Sequence, residues 1–584
     1  MPFDWLARLG LIKRPTAPRP NPSEPPQPVE TAAQEKKPPK VFPNWKALVE
    51  SRPELWAEAL ERADKGPRVL IATAVGAHTQ FTLIETTLAV GLTLRGARTD
   101  LLMCDAALPA CLRAKVSQPE PPDLAAGRIG EISCPDCMAK GRKVMSVPGL
   151  NRIEMSSLVA ADEATGAAAL AQRLAVDQIA GFTLDGAPVG EHARAGALRY
   201  YGVGDLSEEP DGEGVLRRYF EAALKTAYAA RRAVRDGRYD IVVTNHGIYA
   251  PHGVFNAVSR AEGARTVTWH TAYRRQCVIF SHDDTYHHTL MWEPTSAWED
   301  MNWSPEHEAE IMAYLDSRRF GGRDWIYFNR TPDEDAGAWL AEAGVDPEKP
   351  LIGMLTNVVW DAQLHYPANA FPNMIDWMVK TVGWFRHRPD LQLLIRVHPG
   401  ELAPPGGVTK SRQPAEAEIR KAFPDLPKNV FIVGPESKLS TYALMDRCQA
   451  AIIYGTKTGV ELTSVGMPVI VAGEAWIRNK GVTVDAADAA DYFRILASLP
   501  WGHRLDAATT QRARRYAYHF FFRRMMPLSF LRYREGLQPP FVVKLGALDD
   551  LLPGRHAGFD AICEGVLTAS PFIYRAETLG LHDA

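Results

Sequence analysis

Residues 452–473 read "IIYGTKTGVELTSVGMPVIVAG", and this stretch decides how the rest of the chain is read. An apolar run ends in Tyr-Gly-Thr-Lys-Thr-Gly, a short helical pattern follows, and an apolar run returns at once. Buried strands that turn sharply into helices leave this signature. Thr458 is expected as the N-cap, with Glu461 three residues on completing a capping box. The free N–H groups of the first turn then form an anion site, which Gly455 and Gly459 open to a ligand. Thr456 and Thr458 add hydroxyls and Lys457 a charge, so a phosphate is the expected occupant. The same residues also fit an ordinary helix start, with Glu461 capping its own helix and Lys457 solvated.

The alternation continues upstream. "PLIGMLTNV" (350–358), "LQLLIRVHP" (391–399) and "NVFIVGP" (429–435) read as strands separated by helical patterns. An earlier series, "PRVLIATAVG" (67–76), "TDLLMC" (99–104), "DIVVTNHG" (240–247) and "ARTVTWHTAY" (264–273), repeats the theme. The expectation is an α/β chain of two doubly wound, Rossmann-like domains facing a cleft, with a helical C-terminal tail. The expected boundaries are 66–290 for the first domain, 291–348 for a helical connection, 349–500 for the second domain and 501–584 for the tail packing back across both. The aromatic and arginine-rich run at 514–533 is read as interdomain packing rather than membrane contact.

Two loops near the opening stretch add cations to the same sheet edge. Arg396 and His398 close one strand, and Arg478 and Lys480 follow another. A buried apolar strand that finishes in Arg-x-His rarely does so for packing, although a satisfied structural histidine is the alternative.

Arg-x-His-Pro, the turn into "GVELTSVGMPVIVAG" and the loop ending in Gly together resemble the capsule polysaccharide biosynthesis group. Those proteins are similar to the Kdo transferases of capsule assembly. The resemblance is clear over roughly residues 350–485, and the chain carries Thr456-Lys457-Thr458 where the group usually has a Ser-rich turn. It implies the GT-B fold, a nucleotide-sugar donor (a CMP-activated ulosonic acid among the candidates) and chemistry that needs no metal. It assigns Arg396, His398, Thr456, Lys457, Thr458 and Glu461 to the donor, and a surface polysaccharide or lipid-linked glycan to the acceptor.

The other side of the cleft must then supply a general base for the acceptor hydroxyl. His78 in "ATAVGAHTQF" and His246 in "TNHGIYAPHG" are the candidates there, with Asp361 in "NVVWDAQLHYP" facing them. "SHDDTYHH" (281–288) matches no strong metal spacing and is read as loop or acceptor surface. Cys104, Cys111, Cys134 and Cys137, spaced C-x6-C and C-x2-C, can wrap a structural zinc ion, with free thiols or an iron–sulfur cluster as alternatives.

Composition narrows the class. The 584 residues carry a net charge of −3 and 46% hydrophobic residues, so nucleic acid is not an expected partner and more than one domain is. Seven cysteines make no disulfide framework, and no apolar run is long enough to cross a bilayer, so a cytoplasmic protein is expected. Residues 1–14 carry an amphipathic helical pattern that suits peripheral contact with the inner membrane or an assembly partner, and 15–43 are a Pro-rich tether. The readings that compete with a glycosyltransferase are an epimerase or polymer phosphotransferase on the same fold, and a non-catalytic scaffold for polysaccharide assembly or export.

Overall fold

The computed structural model describes residues 42–320, 322–325, 331–362, 364, 368–402, 410–537 and 539–581. The amphipathic segment and all but the end of the Pro-rich tether lie outside them. Residues Val41–Ala584 form one unit built on two open sheets.

The first sheet contains β1 (Arg68–Ala74), β2 (Arg98–Met103), β3 (Asn151–Glu154), β4 (Ile241–Asn245), β5 (Arg265–Thr271) and β6 (Cys277–His282). The second contains β7 (Leu351–Leu355), β8 (Gln392–Arg396), β9 (Val430–Val433), β10 (Ala450–Ile453), β11 (Val469–Val471) and β12 (Val484–Asp485). The tail adds β13 (Met526–Pro527), β14 (Leu531–Tyr533) and β15 (Phe541–Val543). Across the first sheet the order is β13-β6-β5-β4-β1-β2-β3, parallel from β3 to β5 and antiparallel at β5–β6 and β6–β13. The second runs β12-β11-β10-β7-β8-β9, parallel throughout.

Helices on both faces explain the strand composition. Every residue of β7, β8 and β10 is buried, as parallel strands covered on both sides require. The helix Thr79–Leu94 is buried nearly all round, and its Thr86, Thr87 and Thr93 hydroxyls return to carbonyls four residues back. That arrangement keeps buried hydroxyls satisfied without a polar face.

Beside its helices, the tail holds three short strands. β13 pairs with β6 in the register Met526↔Val278, so the tail completes the edge of the first sheet. Its helix Ala507–Tyr518 packs on the second sheet's side, where Tyr516 donates to the Trp476 carbonyl, Arg514 to Ser464 and Arg512 to Lys480. Between these anchors Phe520, Phe521 and Phe522 are at most 1% exposed, so the aromatic run is interior packing. No helix among the described residues is long and apolar enough to cross a membrane.

Candidate active site

In a doubly wound sheet, ligands bind beyond the carboxyl ends of the strands where the order reverses. In the first sheet that point lies between β1 and β4, in the second between β7 and β10. His78 follows β1, His246 follows β4, Asp361 follows β7, and Thr456 and Lys457 follow β10. The two switch points are in contact. Tyr249 Oη donates to Asp361 Oδ1 at 2.7 Å and accepts from the Ala362 N–H at 3.0 Å. Lys457 Nζ lies 5.1 Å from the Tyr273 ring centroid, and Trp476 of the second sheet's loops lies 5.4 Å from His287.

The first-sheet side is a histidine cluster. The His246 ring lies 4.7 Å from His270, 5.6 Å from His287 and 5.1 Å from Tyr249. His246 holds φ at 64°, a conformation that costs a non-glycine residue energy, and is followed by Gly247 at 78°. Its Nδ1 is buried and makes no hydrogen bond within the protein, nor does Asn357 Oδ1 just beyond β7. A turn strained to aim an orphaned imidazole nitrogen is what a ligand contact requires. His78 has the Arg199 guanidinium and the His252 imidazole as electrostatic neighbours, which it shares with His246.

The donor-side residues divide into two groups. His398 lies beside Lys457, within electrostatic reach of Asp361, and its N–H is held by Thr356 Oγ1 at 3.0 Å. Thr456 is buried and its hydroxyl contacts the Thr458 hydroxyl at 3.1 Å. The remaining cations are occupied. Arg396 donates to the carbonyls of Gly434, Ser437 and Leu439, and Arg478 to Gly473 and Ala486. Lys480, fully buried, donates to Met291 and Glu293. These three pin loop backbones, an occupation that the sequence reading did not anticipate.

The capping box is a correction. Lys457 is the N-cap of the helix Thr458–Ser464, with no side-chain cap. Glu461 instead accepts from Tyr442, pairs with Arg318 at 3.3 Å and takes Lys457 at 3.3 Å. Burial alone would raise its pKa, but Arg318 and Lys457 more than offset this and hold the carboxylate at about 2. Glu461 therefore positions the Lys457 amine, whose own pKa burial and Arg318 lower.

Burial also keeps the imidazoles neutral. It lowers His78 to about 3, His252, His287 and His398 to about 4, and His246 well below its ordinary value, with nearby cations and imidazoles adding to it. Such a group stays neutral in the fold while the unfolded chain takes a proton below about pH 6.5. Stability is thus complete above that pH and is lost as pH falls through the folded values. Glu85, raised to about 8 by burial although Trp269 donates to it at 3.0 Å, acts in the opposite sense, its contribution declining as pH rises from about 4.5. The histidines outnumber it, so the urea midpoint is expected to fall on going from pH 7 to pH 5. The slope is about 1.4 kcal/mol per pH unit for each extra proton on the unfolded chain. A pH-independent midpoint would contradict this.

His270 and Trp476 are not singled out by the sequence, and His287 lies in the run read as loop or acceptor surface. The available signal was a histidine at the carboxyl end of a buried strand, the same feature that singles out His398.

The four cysteines gather behind the β1 loop. Cys104 and Cys111 follow β2, while Cys134 and Cys137 open the helix Cys134–Val144, and all four line one cavity. None is in a disulfide, and burial pushes the Cys104 thiol up to about 12 and Cys134 to about 11. Of the cations on that helix, Lys140 pairs with Asp136 and Arg142 with Glu154.

No family model and no curated protein matches this chain. Among solved structures it is similar to the β-Kdo 2,4-transferase KpsC of Thermosulfurimonas dismutans, at 12% identity over 47% of this chain and 79% of that one, with a TM-score of 0.30. The β-Kdo 2,7-transferase KpsC of that organism gives 11% identity over 56% and 88% of the two chains, with a TM-score of 0.29. The UDP-GlcNAc 2-epimerase of Neisseria meningitidis bound to UDP-GlcNAc gives 9% over 77% and 94%, with a TM-score of 0.24. These proteins carry out different reactions, and likenesses at these TM-scores do not choose between them.

Proposed function

We propose that this chain is a glycosyltransferase, moving a sugar from a nucleotide-activated donor at the second sheet to an acceptor hydroxyl at the first. The observation that carries the reading is the junction of two switch points through Tyr249 and Asp361. Asp361 takes the proton of the attacking hydroxyl, which His246 Nδ1 helps to orient. Lys457, His398 and the hydroxyls of Thr456 and Thr458 meet the charge of the departing phosphate, with no divalent ion required. His398 stays neutral, its Nδ1 accepting the Gly400 N–H at 3.0 Å, which puts the ring proton on Nε2 to donate to an arriving phosphate beside Lys457. The resemblance of residues 350–485 to capsule enzymes makes a CMP-activated ulosonic acid the first donor to try and a surface glycan the first acceptor. Composition suits activity in the cytoplasm, and the amphipathic pattern of residues 1–14 suits peripheral contact with the inner membrane or an assembly partner.

Two measurements test this. CMP, UDP, GDP and their sugar conjugates are screened by thermal shift. The cognate nucleotide is expected to add about 2.7 kcal/mol of apparent stability at a hundredfold excess over Kd. His398→Ala should weaken that ligand by roughly tenfold, the loss of one hydrogen bond to a charged group. Nucleotide release is then followed with and without acceptor glycans. Release that depends on acceptor supports transfer, whereas equal release without acceptor, or conversion of the donor to its epimer without transfer, excludes it in favour of hydrolysis or epimerisation.

A further inference from the structure

The cysteine cavity has a chemistry that the glycosyl-transfer reading does not use. It measures about 20 Å³, room for one small body, and Cys104, Cys111, Cys134 and Cys137 all contribute to its wall. The sulfurs are also targets of backbone N–H groups. The Arg113 N–H donates to Cys111 Sγ at 3.4 Å and the Ala77 N–H to Cys137 Sγ at 3.2 Å. A neutral thiol is a weak acceptor, whereas metal-bound thiolates are held by such outer N–H contacts. The Arg113 donor lies two places after its cysteine, and the Arg113 side chain adds positive charge near Cys137.

We propose that Cys104, Cys111, Cys134 and Cys137 bind one zinc ion as four thiolates, forming a structural centre that fixes the loop between β1 and His78. As the side chains stand, the sulfurs line the cavity wall. Among the described residues no three His, Cys, Asp or Glu side chains are placed to hold an ion, so binding draws the sulfurs inward. Four sulfurs close a tetrahedral shell and leave no open position, so the ion takes no substrate. Its mechanical role follows from where the helix Cys134–Val144 docks. A Cβ on Gly76 would lie 2.6 Å from Gly141 Cα and 2.7 Å from the Cys137 carbonyl, so loop and helix touch backbone to backbone. The Ala77 N–H is tied to Cys137, and His78 comes next in the chain.

The test uses the full chain, purified without chelator, incubated with excess zinc and desalted. About one zinc per chain is expected, with four sulfurs at about 2.3 Å by X-ray absorption. A mercurial should release it in step with four thiols. The double variant Cys134→Ser/Cys137→Ser should bind less than about a tenth as much. Should that variant fail to fold, the mercurial titration of the native chain decides alone. Less than about a tenth of an equivalent in the native chain, iron in place of zinc, a shell dominated by nitrogen or oxygen, or full retention in the double variant each overturns the assignment. Hydrogen exchange at Ala77 should quicken when the ion is released, and an unchanged rate would overturn the positioning role.

Discussion

Asp361→Asn is expected to reduce turnover by roughly 10² to 10⁴-fold while the protein remains as stable as before. Asp361 is exposed to the cleft and is held by the Tyr249 hydroxyl at 2.7 Å, a bond that an amide oxygen can still accept. The substitution therefore preserves shape and removes basicity. A surface change of this kind alters stability by no more than about 0.5 kcal/mol, so the unfolding midpoint serves as an internal control. Donor affinity should be retained, which separates this variant from His398→Ala. Tyr249→Phe should have a smaller effect, because it frees Asp361 without removing it. If Asp361→Asn keeps more than about a tenth of the turnover, the proton goes elsewhere, and His246→Ala becomes the variant to measure.

Arg318→Met should destabilise the protein by about 3–5 kcal/mol, the usual result of leaving a buried charge without its partner. The side chains of Arg318, Glu461 and Asp324 are 4%, 3% and 6% exposed. Arg318 pairs with both carboxylates, while Tyr314 donates to Asp324 at 2.7 Å and Tyr442 to Glu461. Removing the guanidinium leaves two carboxylates facing one lysine. Urea unfolding measures the loss, and a double-mutant cycle with Glu461→Gln should show strong coupling, since the second change removes one stranded charge. A loss below about 1 kcal/mol would mean that water reaches the network. The same network sets the Lys457 amine beside the donor turn, so Arg318→Met should also weaken nucleotide binding.

The strands of the second sheet were legible because parallel strands buried on both faces are near-continuous apolar runs, and 351–355, 392–396 and 450–453 are such runs. The ends of those strands were legible for the same reason, since a polar residue that interrupts such a run lies at a loop. What the run does not encode is the partner. Glu461 has the spacing of a capping box, yet it belongs to Arg318, which lies far upstream. Arg396, Arg478 and Lys480 occupy the sheet edge that their positions indicate, but loop carbonyls take their donors. Conversely, His270 ends a strand whose Trp269 draws the eye as core, and only its place across from His246 marks it as part of the site.

The way β13 completes the first sheet has a consequence during synthesis. Its partner β6 emerges from the ribosome roughly 240 residues earlier, a lag of roughly 12 to 50 seconds at 5–20 residues per second. For that interval the nascent amino-terminal lobe presents an unpaired strand edge, the kind of surface that chaperones hold and that aggregates when released early.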